Sequence, residues 1–267
     1  MNNSQLFKTL WNDYSKRTPS AQKVKDLFES EGNVVANDHI AFRTFDDHRI
    51  NIDALASVFI TNGYEFKADY HFKKKKLYAK HFAHKTDSDA PLIFISELII
   101  SEFSSELQQI IASTINTIDF DNLSPESLIF SGRLWNKPSY SVYKRLLTES
   151  EYAAWLYVNG FCPNHFTVNV NKLDTFDSLE GVNSFLKANN FTMNASGGEI
   201  KGSSKQFLEQ SSIMADKINL RFEEGDYEIS SCYYEFAYRY KKGNSLFKGF
   251  IADSANKIFE STDMVLH

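Results

Sequence analysis

Cysteine is nearly absent from this chain: only Cys162 and Cys232 occur in 267 residues. That excludes a disulfide framework and suits a reducing compartment. The start, Met1-Asn2-Asn3-Ser4, has no basic region followed by an apolar stretch, so no secretion signal is visible and the cytoplasm is expected. Long apolar runs are missing too. Leu92–Ile95 and Leu98–Ile100 fall far short of the roughly 20 residues that cross a bilayer, so no membrane residence is expected. Positive charge is not in excess: the net charge is -5, with Lys and Arg scattered, and nucleic acid is not an expected partner. The one basic run, Lys73–Lys76, reads as a solvated hairpin or sheet edge where Lys discourages strand pairing. A glycine-rich phosphate loop, a Gly-x-Ser-x-Gly elbow and a His-Glu-x-x-His pattern are all lacking. No feature speaks to oligomeric state.

What is present is 42% hydrophobic residues led by 23 Phe and 13 Tyr, enough for a substantial core and weighted toward sheet with supporting helices. Residues 4–31 carry helical spacing (Leu6, Leu10, Tyr14, then Val24, Leu27, Phe28) broken near Pro19, which predicts two leading helices. A strand over about Ile40–Phe45, a helix over Ile52–Thr61 and strands at Tyr64–Phe72, Leu77–Ala83 and Pro91–Ser96 then give the order βαβββ. The same order is expected again: strand 165–170, helix Ser178–Asn189, and strands near Glu199–Lys201, Ile218–Phe222 and Glu228–Tyr240. The organisation is a helical cap (1–34), a first module (35–103), a helical insert (104–160) and a second module (161–267). His39 to Glu97 spans 58 positions (97 minus 39) and His165 to Glu235 spans 70 (235 minus 165), the excess fitting an irregular Ser196–Ser204 stretch.

Three strand segments carry the chemistry: Asn37-Asp38-His39-Ile40-Ala41-Phe42-Arg43, Pro163-Asn164-His165-Phe166-Thr167-Val168 and Tyr233-Tyr234-Glu235-Phe236-Ala237. Side chains alternate along a strand, so His39 shares a face with Arg43, His165 with Thr167, and Glu235 with Tyr233 and Ala237, while apolar neighbours face the other way. Two imidazoles and a carboxylate are the set with which a non-haem Fe(II) oxygenase holds its metal and leaves positions open. A strand histidine taken alone is more often a hydrogen-bonded core residue, and the residues do not select the metal. Arg43 can aim forked donors at an acid on the metal, or form a structural salt bridge. Glu97 is a candidate fourth ligand, a base behind the ligands, which we favour, or a buried partner of Arg43. His48, His71, His81, His84 and His267 stand beside charged or loop residues and are expected at the surface, and Cys162 is expected to fill space.

Those segments, with Ser150-Glu151-Tyr152-Ala153-Ala154-Trp155, Leu208-Glu209-Gln210-Ser211-Ser212, Gly249-Phe250 and Ile258-Phe259-Glu260-Ser261-Thr262, resemble the 2-oxoadipate dioxygenase/decarboxylase (hydroxyglutarate synthase) family of the vicinal oxygen chelate superfamily. The resemblance implies an α+β fold in which paired βαβββ modules form a half-open sheet around one metal, with extra helices. It implies Fe(II) held by His39, His165 and Glu235, and Arg43 as anchor for a substrate carboxylate. The implied reaction takes 2-oxoadipate and O₂ to 2-hydroxyglutarate and CO₂, a step of lysine catabolism, so a small 2-oxo dicarboxylic acid and O₂ are the expected partners. Gln210 is assigned either a hydrogen bond to substrate or ligand, or a loop-stabilising role. Fold does not fix chemistry, so another metal-dependent isomerase, lyase or dioxygenase on this scaffold, or a metal-free module that binds a small ligand, are the competing readings.

Overall fold

The computed structural model describes residues 2–251. The resembling segment 258–262 and His267 lie outside them. Two helices lead, α1 (Asn3–Arg17) and α2 (Pro19–Ser30). Asn2 caps α1 by accepting from the Gln5 N–H, and Pro19 opens α2, where its missing N–H leaves no bond unmade. Their buried stripes run Leu6, Leu10, Tyr14 and Ala21, Val24, Phe28.

The first module is β1 (Asn37–Phe45), α3 (Ile52–Thr61), β2 (Tyr64–Phe72), β3 (Leu77–His84) and β4 (Leu92–Leu98). Helices α4 (Ser105–Ile115), α5 (Tyr140–Glu149) and α6 (Glu151–Asn159) follow. The second module has β5 (Pro163–Asn169), α7 (Leu179–Ala188), β6 (Lys201–Ser203), β7 (Leu208–Ser212), β8 (Lys217–Phe222), β9 (Gly225–Ser230) and β10 (Tyr233–Arg239), and a short ribbon, β11 (Lys241–Lys242) with β12 (Ser245–Leu246), comes after it.

Eight strands form one curled sheet in the order β2-β3-β4-β1-β5-β10-β7-β6. Each module contributes four, arranged alike: β1 lies parallel to β4 as β5 lies parallel to β10, and the antiparallel β1–β5 pair joins the halves. The outer face is apolar and covered by helices. Phe42 meets Phe59 of α3, Phe166 meets Trp11 and Tyr14 of α1, and Phe236 meets Phe28 of α2. The inner face is polar along the central strands, and α6 enters it at one end. No described helix is long and apolar enough to cross a membrane.

The second module departs from expectation in two respects. Ile218–Phe222 (β8) is not a sheet strand; it pairs with β9 alone, and β7 takes the place in the sheet. The alternation along β8 is real, but its apolar side is used locally: Phe222 and Tyr227 pack on Tyr140 of α5, the two tyrosine rings stacked 3.6 Å apart. β7 lacks alternating hydrophobicity because both its faces bind polar groups, Gln210 towards the interior and Ser211 towards Asn183 of α7. The expected strand 228–240 is interrupted at Ser231-Cys232, which separates β9 from β10.

Candidate metal centre

The inner faces of β1, β5 and β10 bring His39, His165 and Glu235 together. One ligand atom from each lies within 4.8 Å of the others, and all three residues are buried. His39 Nε2 is 3.5 Å from Glu235 Oε1, and His165 Nε2 is 3.2 Å from Glu235 Oε2.

Two strand irregularities orient the rings. The β1–β5 register slips between Asn37 and His39, and again between Ala41 and Phe42, opposite the segment Pro163–His165. A bulge re-aims side chains next to it. The residue before each histidine can thereby reach that histidine's own ring: Asp38 Oδ1 is 2.7 Å from His39 Nδ1, and Asn164 Oδ1 is 3.1 Å from His165 Nδ1. A carboxylate only accepts, so Asp38 holds a proton on His39 Nδ1 and leaves Nε2 as the ring atom that faces inward. Thr167 Oγ1 lies 3.1 Å from that nitrogen, placed to donate to it. Asn164 Oδ1 fixes the same tautomer in His165.

Electrostatics agree with a cation site. Burial, with His39 and Arg43 adding, holds His165 far below the ordinary histidine pKa, so it is neutral and free to ligate. Burial pushes the Glu235 carboxyl up to about 7, against the pull of His39 and of the Gln210 hydrogen bond. Burial opposes charge on Asp38, but Arg239 and His39 beside it hold that carboxyl below the usual range. Glu235 Oε2 and Gln210 Oε1 are buried without a hydrogen-bond partner. Imidazole with carboxylate is a donor set that suits a divalent transition metal. The residues therefore fit the ion that the sequence resemblance implies.

Gln210 lies on β7, not in a loop, and its Nε2 donates to Glu235 Oε1 at 2.5 Å. Arg43 shares the inner face four residues along β1 and is 1% exposed. Its Nη1 bonds Glu151 at 3.1 and 3.4 Å, and its guanidinium lies 4.9 and 5.0 Å from the Tyr152 and Trp155 rings, all on α6.

Glu97 does not join the cluster, and the structure corrects its expected role as a base behind the ligands. It pairs with Thr44, on the helix side of β1, and accepts the Ile52 N–H at the start of α3 at 3.0 Å. An anion there meets the positive end of the helix. Nor is it the partner of Arg43, a place Glu151 holds. His81 corrects the expectation of a surface histidine: it is 4% exposed, sits on the inner face opposite Phe94, and its Nδ1 is 2.9 Å from Tyr70 Oη. Asp38, Asn164, Glu151 and Arg239 were not singled out from the sequence. An Asx residue before each strand histidine is the signal that would have found the first two.

The chain matches the family model for 2-oxoadipate dioxygenase/decarboxylase over residues 5–125 and 127–248. A chloroplastic/amyloplastic 2-oxoadipate dioxygenase/decarboxylase of Oryza sativa subsp. japonica is 36% identical over 274 residues, which cover 93% of this chain and 75% of the relative. The chloroplastic protein of that name from Arabidopsis thaliana is 34% identical over 281 residues, 93% of this chain and 74% of the relative. Among solved structures, the hydroxyglutarate synthase of Oryza sativa in complex with 2-oxoadipate superposes with a TM-score of 0.89 at 34% identity, covering 97% of this chain and 91% of that one. A Shewanella frigidimarina protein ascribed a hydrolase role gives 0.88 at 48% identity over 93% of this chain and 97% of that one. A glyoxalase superfamily protein of Ralstonia eutropha gives 0.77 at 20% identity over 90% of this chain and 83% of that one, and shares the fold.

Proposed function

Because the chain belongs to the 2-oxoadipate dioxygenase/decarboxylase family, we propose that it converts 2-oxoadipate and O₂ to 2-hydroxyglutarate and CO₂ with Fe(II) held by His39, His165 and Glu235. The observation that carries this reading is the buried convergence of those three side chains on a face that also bears Arg43. Bound Fe(II) would supply two-point chelation of a 2-oxo acid and a redox-active open position for O₂, the electrons that reduce O₂ coming in net from the acid.

The chain's own residues supply the rest. Four residues of β1 separate His39 from Arg43, about 13 Å at ~3.3 Å per residue. Both residues lie on the inner face, and the span suits a six-carbon diacid with its oxo end at the ligands and its far carboxylate at the guanidinium. Arg43 is pre-oriented for this by Glu151 and by the Tyr152 and Trp155 rings, which lowers the ordering cost of binding. Asp38 and Asn164 hold the ligand tautomers, and Gln210 holds Glu235. Phe94 and Phe250 close over the His39 side and exclude water.

Iron-loaded protein should consume O₂ and release CO₂ from 2-oxoadipate in equal amounts, and His165→Ala should lose iron and turnover together. Release of CO₂ that continues without O₂ would overturn the oxygenase reading, and 2-oxoadipate affinity unchanged in His165→Ala with no iron in either protein would point to a metal-free binder.

A further inference from the structure

The two histidines are backed differently. Asn164, a neutral amide, stands behind His165, whereas Asp38 behind His39 belongs to a buried ion pair. Arg239 lies on the inner face of β10, two residues past Ala237, and grips Asp38 with two bonds: Nε to Oδ2 at 2.6 Å and Nη2 to Oδ1 at 2.8 Å. Both side chains are at most 5% exposed. A buried pair of this kind adds little net stability against a well-packed apolar replacement, so its presence calls for another reason.

The remaining terminal nitrogen of the same guanidinium supplies one. Arg239 Nη1 donates to the carbonyls of Phe247 and Gly249, each at 2.9 Å. These belong to the segment that follows the β11–β12 ribbon and turns back over the inner face. The turn is tight: a Cβ on Gly249 would sit 2.5 Å from the Phe247 ring. The segment ends on Phe250, whose ring lies edge-on to His39 at 4.9 Å and within 5.4 Å of the Arg239 guanidinium. Across the sheet the Phe250 N–H donates to Tyr70 Oη, which also meets His81. One guanidinium thus holds the carboxylate that orients His39 and the backbone of the segment that covers His39.

We propose that Arg239 is a positioning residue for His39, joining the geometry of that metal ligand to the seating of residues 247–250. This rests on the reading that His39, His165 and Glu235 hold a divalent ion. Hydrogen bonds behind a metal-binding histidine fix its ring and raise its basicity, and losing them commonly costs about 10- to 100-fold in metal affinity. Lysine cannot replace Arg239, because an ammonium lacks the planar fork that reaches Asp38 and two carbonyls at once.

The test titrates metal-stripped full-length protein with Co²⁺ alone, followed by visible absorption, for the wild type, Arg239→Lys, Asp38→Asn, the double variant, Phe250→Ala and His165→Ala. Arg239→Lys and Asp38→Asn should each weaken Co²⁺ binding by about 10- to 100-fold. The double variant should be no more than about threefold weaker than the worse single one, because the two residues act in series. Phe250→Ala should weaken binding several-fold with the Asp38–Arg239 pair left in place. A Co²⁺ affinity unchanged in Arg239→Lys, with only the melting temperature lowered, would make Arg239 merely structural and overturn the proposal. So would losses that multiply in the double variant. Should Arg239→Lys not fold, an unchanged affinity in Phe250→Ala decides against the link. Failure of the underlying reading looks different: wild type and His165→Ala would then bind Co²⁺ alike.

Discussion

Removing the Glu151 carboxylate should expose how Arg43 is held. Arg43 is 1% exposed and the Glu151 side chain 17%, so Glu151→Ala leaves a buried guanidinium without that anion. Truncating one partner of a fully buried pair costs about 3–5 kcal/mol. The partial exposure of Glu151 places this case near the lower end, about 3 kcal/mol. At about 2–4 °C per kcal/mol for a chain of this size, the melting temperature should fall by about 6–12 °C. Glu151→Gln, which keeps an acceptor but not the charge, should lose about half as much. The assay is thermal unfolding of Co²⁺-loaded protein with and without 2-oxoadipate. If the far carboxylate of the acid docks on Arg43, it restores a negative partner, so the ligand should raise the melting temperature of Glu151→Ala more than that of the wild type. A variant that melts within about 2 °C of wild type would refute the claim that Glu151 neutralises Arg43. An identical ligand shift in both proteins would refute Arg43 as the anchor.

Three other outcomes follow from the geometry. Gln210→Ala frees Glu235 Oε1 from its hydrogen bond and should weaken Co²⁺ binding about tenfold; a change under about twofold in a titration would show that Gln210 does not set the carboxylate. Gly160 ends α6 at φ +67°, where an added Cβ would meet the Gly132 carbonyl at 2.2 Å, so Gly160→Ala should cost about 3 kcal/mol or more from strain and clash together, read by urea unfolding. Hydrogen bonds from the Tyr140 N–H, the Ser139 hydroxyl and the Ser141 N–H hold Glu224 down at about 2 against an ordinary 4.5. A depressed carboxyl stabilises fully above its unfolded value and loses that contribution as pH falls through the folded one. The protection factors of amides in residues 217–230, taken against the intrinsic exchange rate at each pH, should therefore fall between pH 4.5 and about 2 in wild type, whereas Glu224→Gln should show the lower protection already at pH 6.

Much of the candidate site was legible because strand alternation is a strict period. His39 with Arg43, His165 with Thr167 and Glu235 with Tyr233 could be assigned to one face each, and the sheet topology puts those faces together. What stayed hidden is what period-2 hydrophobicity does not encode. β7 reads as polar because it lines a polar interior, and β8 reads as a sheet strand because its ribbon packs on α5. His81 stands next to Lys80 in sequence, which suggested the surface, yet its own phase along β3 points inward. The bulges at Asp38 and Asn164 leave only a faint trace, an Asx before each histidine.

The misplacement of Glu97 is instructive because it is an error of phase, and correcting it explains why three donor side chains, not four, converge at the candidate site. In the second module His165 pairs with Tyr233, and Thr167, two residues on, pairs with Glu235. In the first module His39 pairs with Leu92, and Ala41, two residues on, pairs with Phe94. The position matching Glu235 is therefore Phe94, 55 residues after His39 (94 minus 39), not Glu97. An odd offset of three residues carries a strand side chain to the opposite face. Phe94 turns its ring towards Phe250, 4.9 Å away, and Phe250 meets His39, so one half of the pseudo-symmetric pair offers an apolar wall where the other offers a carboxylate. Two equivalent halves would have offered four candidate donors; phenylalanine at position 94 leaves the three that converge, and on the function proposed above an ion held by three side chains would keep open positions for a chelating acid and O₂.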